Sequence, residues 1–134
     1  HGMNLEGLEI VERGKTFFWS GRYHNDMNSR DTLATDLNVL VDFNPVVPDS
    51  YRNADVVMLG NLHPLVQLGV IEQMNNPKLV VLDTMNFWMD CALKELMSVI
   101  AKVDVITIND EEARQLSGEY SLVTAAKKNY ADGA

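Results

Sequence analysis

The chain has 134 residues, 46% of them hydrophobic, and a formal net charge of -8 from 19 acidic and 11 basic side chains. That length and apolar share support one sizeable core and exclude a disordered tail, and the acidic balance lacks the basic footprint of a nucleic-acid binder. No apolar run reaches the roughly 18 residues of a membrane span, and the amino terminus lacks a charged-then-apolar leader, so the expected compartment is the cytoplasm with no membrane partner.

From the amino terminus, residues 5–11 carry two apolar positions per polar one and read as a short strand after the Gly7 turn. Residues 16–23 are rich in aromatic side chains, which favour pleated surfaces, and Gly21 interrupts them as a bulge does. A polar turn is expected over 24–31. Beyond it Leu33, Thr35, Leu37, Val39, Val41 and Phe43 alternate with Ala34, Asp36, Asn38, Leu40 and Asp42, the period-two pattern of a second strand. The two strands form an antiparallel pair whose polar side faces water or a ligand.

Pro45 and Pro48 then end the β region, because proline fixes its own backbone and removes a donor. They divide a small β element, 1–44, from an α/β body, 45–134. In that body, apolar strands are expected at 55–60, 78–83 and 103–108. Helices are expected at 64–74, 89–101 and 111–117, with a further one at 122–130. Alternation of this kind implies a parallel sheet flanked by helices on both faces, a three-layer α/β/α arrangement with right-handed crossovers. Cys91, the single cysteine, falls in the apolar pattern of the 89–101 helix and is expected in the core; with no second thiol it forms neither an internal disulfide nor a cysteine metal site.

Polar residues follow each strand: Asn61 and His63 after the first, Asp83 and Asn86 after the second, Asn109 to Glu112 after the third. Ligands of open parallel sheets sit at the carboxyl ends of the strands, so Asn61, Asp83, Asn86, Asn109 and Glu112 are the candidate site residues. A structural role competes at every one of them. Asn109 with Glu112 three residues on fits a capping box, Asp83 or Asn86 could cap the following helix, and Asn61 or His63 could finish a turn before Pro64. No Gly-x-Gly-x-x-Gly follows any strand, which leaves little room for a dinucleotide-binding domain.

Three stretches, Asp-Val-Val-Met-Leu-Gly-Asn ending at Asn61, Val-Val-Leu-Asp-Thr-Met-Asn ending at Asn86, and Val-Asp-Val-Ile-Thr-Ile-Asn-Asp-Glu-Glu-Ala-Arg-Gln-Leu-Ser-Gly ending at Gly118, resemble in their order the middle of the PfkB, or ribokinase-like, carbohydrate kinases. The resemblance implies a ribokinase-like body, with residues 1–44 supplying a β lid that closes over a sugar and that often pairs between subunits as a homodimer. It implies that Asn109 and Glu112 help to position the ATP phosphates and hydrated Mg2+, with Glu112 meeting the metal through water. It implies, further, that Asn61 and Asp83 are substrate-binding, Asn61 contacting the sugar or nucleoside at its strand end and Asp83 lying at the next strand end, near the phosphate region. The chain departs from the family in lacking the substrate-binding aspartate and Gly-Gly stretch of its first strands. It also lacks the Gly-Ala-Gly-Asp motif, whose backbone N–H groups form the anion hole and whose Asp is the base. The expectation is therefore a fragment of an ATP-dependent carbohydrate or nucleoside kinase that is inactive by itself; the first residues, His1-Gly2, and the last, Tyr130 to Ala134, also fit an excerpt. The alternative is a noncatalytic α/β binding or regulatory module.

Overall fold

The computed structural model describes residues 2–25, 27 and 29–131, and the chain divides into two compact units, His1–Asn44 and Pro45–Ala134. Asp26 and Asn28 of the expected turn, and Asp132 to Ala134 of the last residues, lie outside the described residues.

In the first unit, β1 (Phe18–Tyr23) pairs antiparallel with β2 (Arg30–Asp36). Ser20 faces Ala34 while Gly21 faces Thr32, so Leu33 is the extra residue of a bulge beside the glycine. A Cβ at Gly21 would run into the Trp19 ring, which explains why glycine stands there. The Trp19 indole N–H donates to the Thr32 hydroxyl at 3.3 Å.

Two expectations fail in this unit. Residues 5–11 form no strand: a turn at 6–7 is closed by the Leu8 N–H on the Leu5 carbonyl at 2.9 Å, and 8–11 have no regular structure; a strand with no ladder partner would leave its backbone groups unpaired. The alternating pattern to Phe43 does not stay a strand either: β2 stops at Asp36, and Asn38–Asp42 forms a short 3-10 helix. Asn38 takes a left-handed backbone at φ 50°, which asparagine tolerates better than most residues, and its side-chain amide donates to the Thr16 carbonyl at 2.8 Å.

In the second unit, β3 (Val56–Leu59), β4 (Leu79–Asp83) and β5 (Val105–Thr107) form a parallel sheet in that spatial order. Helix α1 (Pro64–Gln73) connects β3 to β4, and α2 (Asn86–Cys91) and α3 (Leu93–Ile100) connect β4 to β5. Helices α4 (Asp110–Ser117) and α5 (Leu122–Ala131) follow. Side chains alternate across a sheet, so Leu59, Val80, Leu82 and Ile106 share one face, where they pack into the core with Met89, Leu96, Val99 and Ile100. On the alternate face Val56 and Met58 are 59% and 67% exposed.

The single helix expected over 89–101 is two. Ala92 adopts φ −144° and ψ 35°, outside the helical region, and serves both as the end of α2 and as the start of α3. Alanine is the best helix former, so no local preference explains the break. It coincides with Trp88, Met89 and Ala92 being buried together. Cys91, expected in the core, is exposed, between the buried Met89 and Ala92.

Among the described residues, no helix is long and apolar enough to cross a membrane. The core assignment makes a prediction. Leu82 is fully buried, so Leu82→Ala should cost about 2–5 kcal/mol in urea unfolding, whereas Met58→Lys should change stability by about 0.5 kcal/mol or less. Equal losses from the two substitutions would contradict the assignment of faces.

Candidate functional site

Parallel strands place their carboxyl ends along one edge, and the edge of the β3–β4–β5 sheet carries Asn61, Asp83 and Asn109 just at or beyond those ends. Pairing between β3 and β4 stops at Leu59 opposite Leu82. The next carbonyls outward, those of Gly60 and Asp83, lie past the β3–β4 pairing, and the Gln67 side chain of α1 bridges them, its Nε2 donating at 2.8 Å to Gly60 and at 3.1 Å to Asp83. Gln67 is 2% exposed, and among the described residues its Oε1 has no hydrogen-bond partner. Thr84, the residue after β4, likewise buries a hydroxyl that meets no partner among the described residues. Each such buried group costs on the order of 1–3 kcal/mol.

Asn61 follows Gly60, and its Oδ1 accepts from the Trp88 indole N–H of α2 at 2.8 Å. Trp88 is itself buried, with the His63 ring edge-on at a centroid distance of 5.0 Å and Phe87 at 4.8 Å. Among the described residues the Asn61 Nδ2 has no protein acceptor, which leaves two donors at the strand end for a ligand. His63 is the N-cap of α1, its Nδ1 accepting from the Leu65 N–H at 3.1 Å, so the turn-finishing role holds for it.

Asp83 is half-buried at the end of β4. The Thr107 hydroxyl lies 3.0 Å from the Leu82 carbonyl and 3.4 Å from the Asp83 carboxylate. A hydroxyl has one proton, and the shorter contact to Leu82 takes it, so the Asp83 carboxylate is only weakly engaged. Neither Asp83 nor Asn86 caps α2, whose N-cap is Met85 with no side-chain bond. Asn86 instead donates to the Gln115 Oε1 at 2.6 Å, and Gln115 donates onward to Asp90 at 2.7 Å, which ties α2 to α4.

The Asn109 corner is a complete capping box. The Asn109 Oδ1 accepts from the Glu112 N–H at 2.9 Å, and the Glu112 Oε2 accepts from the Asn109 N–H at 3.0 Å. Asp110, Glu111 and Glu112 fill the first turn, where negative charge complements the helix dipole. At the far end Gly118 takes the left-handed backbone that closes the helix, φ 69°. Glu112 is 3% exposed, so its carboxylate presents almost no surface to an ion. Among the described residues, no group of three or more His, Cys, Asp or Glu side chains is placed to hold a metal ion. The corner by itself therefore does not fit a metal centre: it offers one buried carboxylate, already hydrogen-bonded in the cap.

The edge is thus a linked structure in which Gln67 joins the ends of β3 and β4, Trp88 holds Asn61, and Thr107 joins β5 to β4. Gln67, Trp88 and Thr107 are the residues the sequence reading did not single out. No protein-family model matches this chain, and no curated protein matches it.

Capping makes a prediction of its own. Asn109→Ala should cost about 1 kcal/mol and Asn109→Ser much less, since serine restores an acceptor for the Glu112 N–H. Urea unfolding of the two variants checks this, and equal losses would count against the box.

Proposed function

We propose that this chain is the central part of an ATP-dependent kinase that transfers the γ-phosphoryl group of ATP to a hydroxyl of a carbohydrate or nucleoside. The reading rests on the resemblance of its three strand-end motifs to the PfkB carbohydrate kinases. The single structural observation that supports it is the parallel β3–β4–β5 sheet, in which those motifs share one edge in sequence order. A cytoplasmic location belongs to the same proposal.

In this reading Asn61 offers its free amide donors, and Asp83 its weakly engaged carboxylate, to substrate hydroxyls at the ends of β3 and β4. At the Asn109 corner, the side-chain amide is the group left to meet a phosphate oxygen, since the Asn109 Oδ1 is held in the cap. Glu112 locks that corner and would meet Mg2+ only through water, as that ion commonly keeps several waters and few carboxylates. A buried, hydrogen-bonded carboxylate is too little to support a metal-dependent step, and we derive none. Pairing of two copies through β1 and β2 is part of the proposal, and a monomeric solution mass would remove it.

Phosphoryl transfer also needs an anion hole and a base. The 134 residues contain no Gly-Ala-Gly-Asp. The purified chain given Mg-ATP and a panel of sugars and nucleosides should therefore release no ADP above a protein-free control; substrate-dependent release would overturn this. The class itself is tested by the reading frame. A Gly-Ala-Gly-Asp encoded within about one hundred residues after Gly118 is expected, and its absence would sink the kinase assignment.

A second reading, a noncatalytic α/β binding or regulatory module, is favoured by how many edge groups bond one another: Asn109 with Glu112, and Asn86 with Gln115 and Asp90. It predicts no Mg-ATP affinity even with flanking sequence present.

A further inference from the structure

We propose that Gln67 is a positioning residue: its amide nitrogen, held between the last carbonyls of two parallel strands, sets the gap across which Asn61 and Asp83 face a ligand. What the gap serves rests on the kinase reading; that Gln67 sets it does not.

The chemistry of the contact narrows the residue type. Two carbonyl acceptors must be met from one buried point without bringing in a charge, and a primary amide does this with its two N–H groups on one nitrogen. The reach matters too, because the amide comes from a helix to the backbone of two strands, and asparagine is one methylene shorter. Gln67 Nε2 meets Gly60 at 2.8 Å and Asp83 at 3.1 Å, one residue past the end of the β3–β4 pairing at Leu59 and Leu82.

The position is also costly for stability alone. Gln67 keeps its Oε1 buried with no partner among the described residues, a penalty that a methionine of similar volume would not carry. Sites that break a local rule in this way are the ones where geometry, not packing, decides the residue. The geometry in question is continuous. Gln67 holds the Gly60 carbonyl, the next residue is Asn61, and the Asn61 side chain is held by Trp88 at 2.8 Å. At its second contact Gln67 holds the backbone of Asp83 itself.

The Trp88 indole N–H is therefore a built-in reporter of where the β3 end lies, and nuclear magnetic resonance of the 134-residue chain reads it without sugar or nucleotide. In the unsubstituted protein, the Gln67 side-chain amide protons and the Trp88 indole proton should both be protected from solvent exchange. Gln67→Met keeps the volume and removes both donors; Gln67→Asn keeps the amide and shortens its reach. Both should speed exchange of the Trp88 indole proton by about tenfold or more and shift the Gly60, Asn61 and Asp83 resonances, while those of α5 stay in place. If either variant fails to fold, the other is read. Altered melting with an unchanged Trp88 indole and unchanged Asn61 and Asp83 resonances would overturn the proposal, because it would leave Gln67 a stabilising role only. Freely exchanging Gln67 amide protons in the unsubstituted chain would overturn it as well. An outcome of either kind leaves the kinase assignment to its own test.

Discussion

The body of this molecule depends on keeping the backbone of one buried strand hydrogen-bonded. β4 lies between two neighbours, and Val80 and Leu82 on it are buried. Yet its partners are short: β3 pairs over four residues and β5 over three. A buried amide or carbonyl without a partner is expensive, so the ladder has to be completed by other means. Side chains do it at both ends. The Asp104 carboxylate accepts from the Val80 N–H at 2.8 Å where the β4–β5 pairing begins, and Thr107 and Gln67 donate to the Leu82 and Asp83 carbonyls where β4 ends. The helices that cover the core face can then close over a strand whose polar groups are already met.

How much of this the sequence disclosed follows from how far apart the interacting residues are. The Asn109–Glu112 box is legible because both partners sit within one helical turn and the residue types are those the turn selects. The bulge at Gly21 is legible because glycine in an aromatic run has few other reasons to be there. The parallel alternation from Val56 onward is legible because each strand is a short, predominantly apolar and β-branched stretch set between helical patterns. Gln67 is not legible: its acceptors are main-chain carbonyls 7 and 16 residues away, and nothing in their residue types marks them. The break at Ala92 is hidden for the opposite reason, since the local sequence argues for a continuous helix and only the backbone at Ala92 departs from one. At Asn38 the alternating pattern runs on while the backbone turns left-handed, so period alone extended β2 too far.

The candidate edge joins structure and chemistry in the same atoms. Asn61 gives its oxygen to Trp88 and keeps its amide, and Asn109 gives its oxygen to the cap. Each residue is thereby fixed in one orientation with a known group left over. Preorganised side chains of this kind lose little freedom when a ligand arrives. The same economy explains why the capping role of Glu112 and a role for the corner in ligand binding do not compete: the cap consumes the Asn109 oxygen, and the amide is what remains.

The absence of any buried residue among the described residues of 2–44 sets the thermodynamic character of that unit. Opening the β1–β2 ribbon uncovers little apolar surface, and both the heat-capacity increment and the denaturant slope of a transition grow with the surface uncovered. Leu82, Leu96 and Val99, sealed in the body, lie in the part whose melting releases nearly all of that signal. A calorimetric trace or a urea curve is consequently a measurement of residues 45–134 and nearly blind to the ribbon. The order of the ribbon is visible only to a local probe, and Trp19, packed against Gly21 at the bulge, is such a probe.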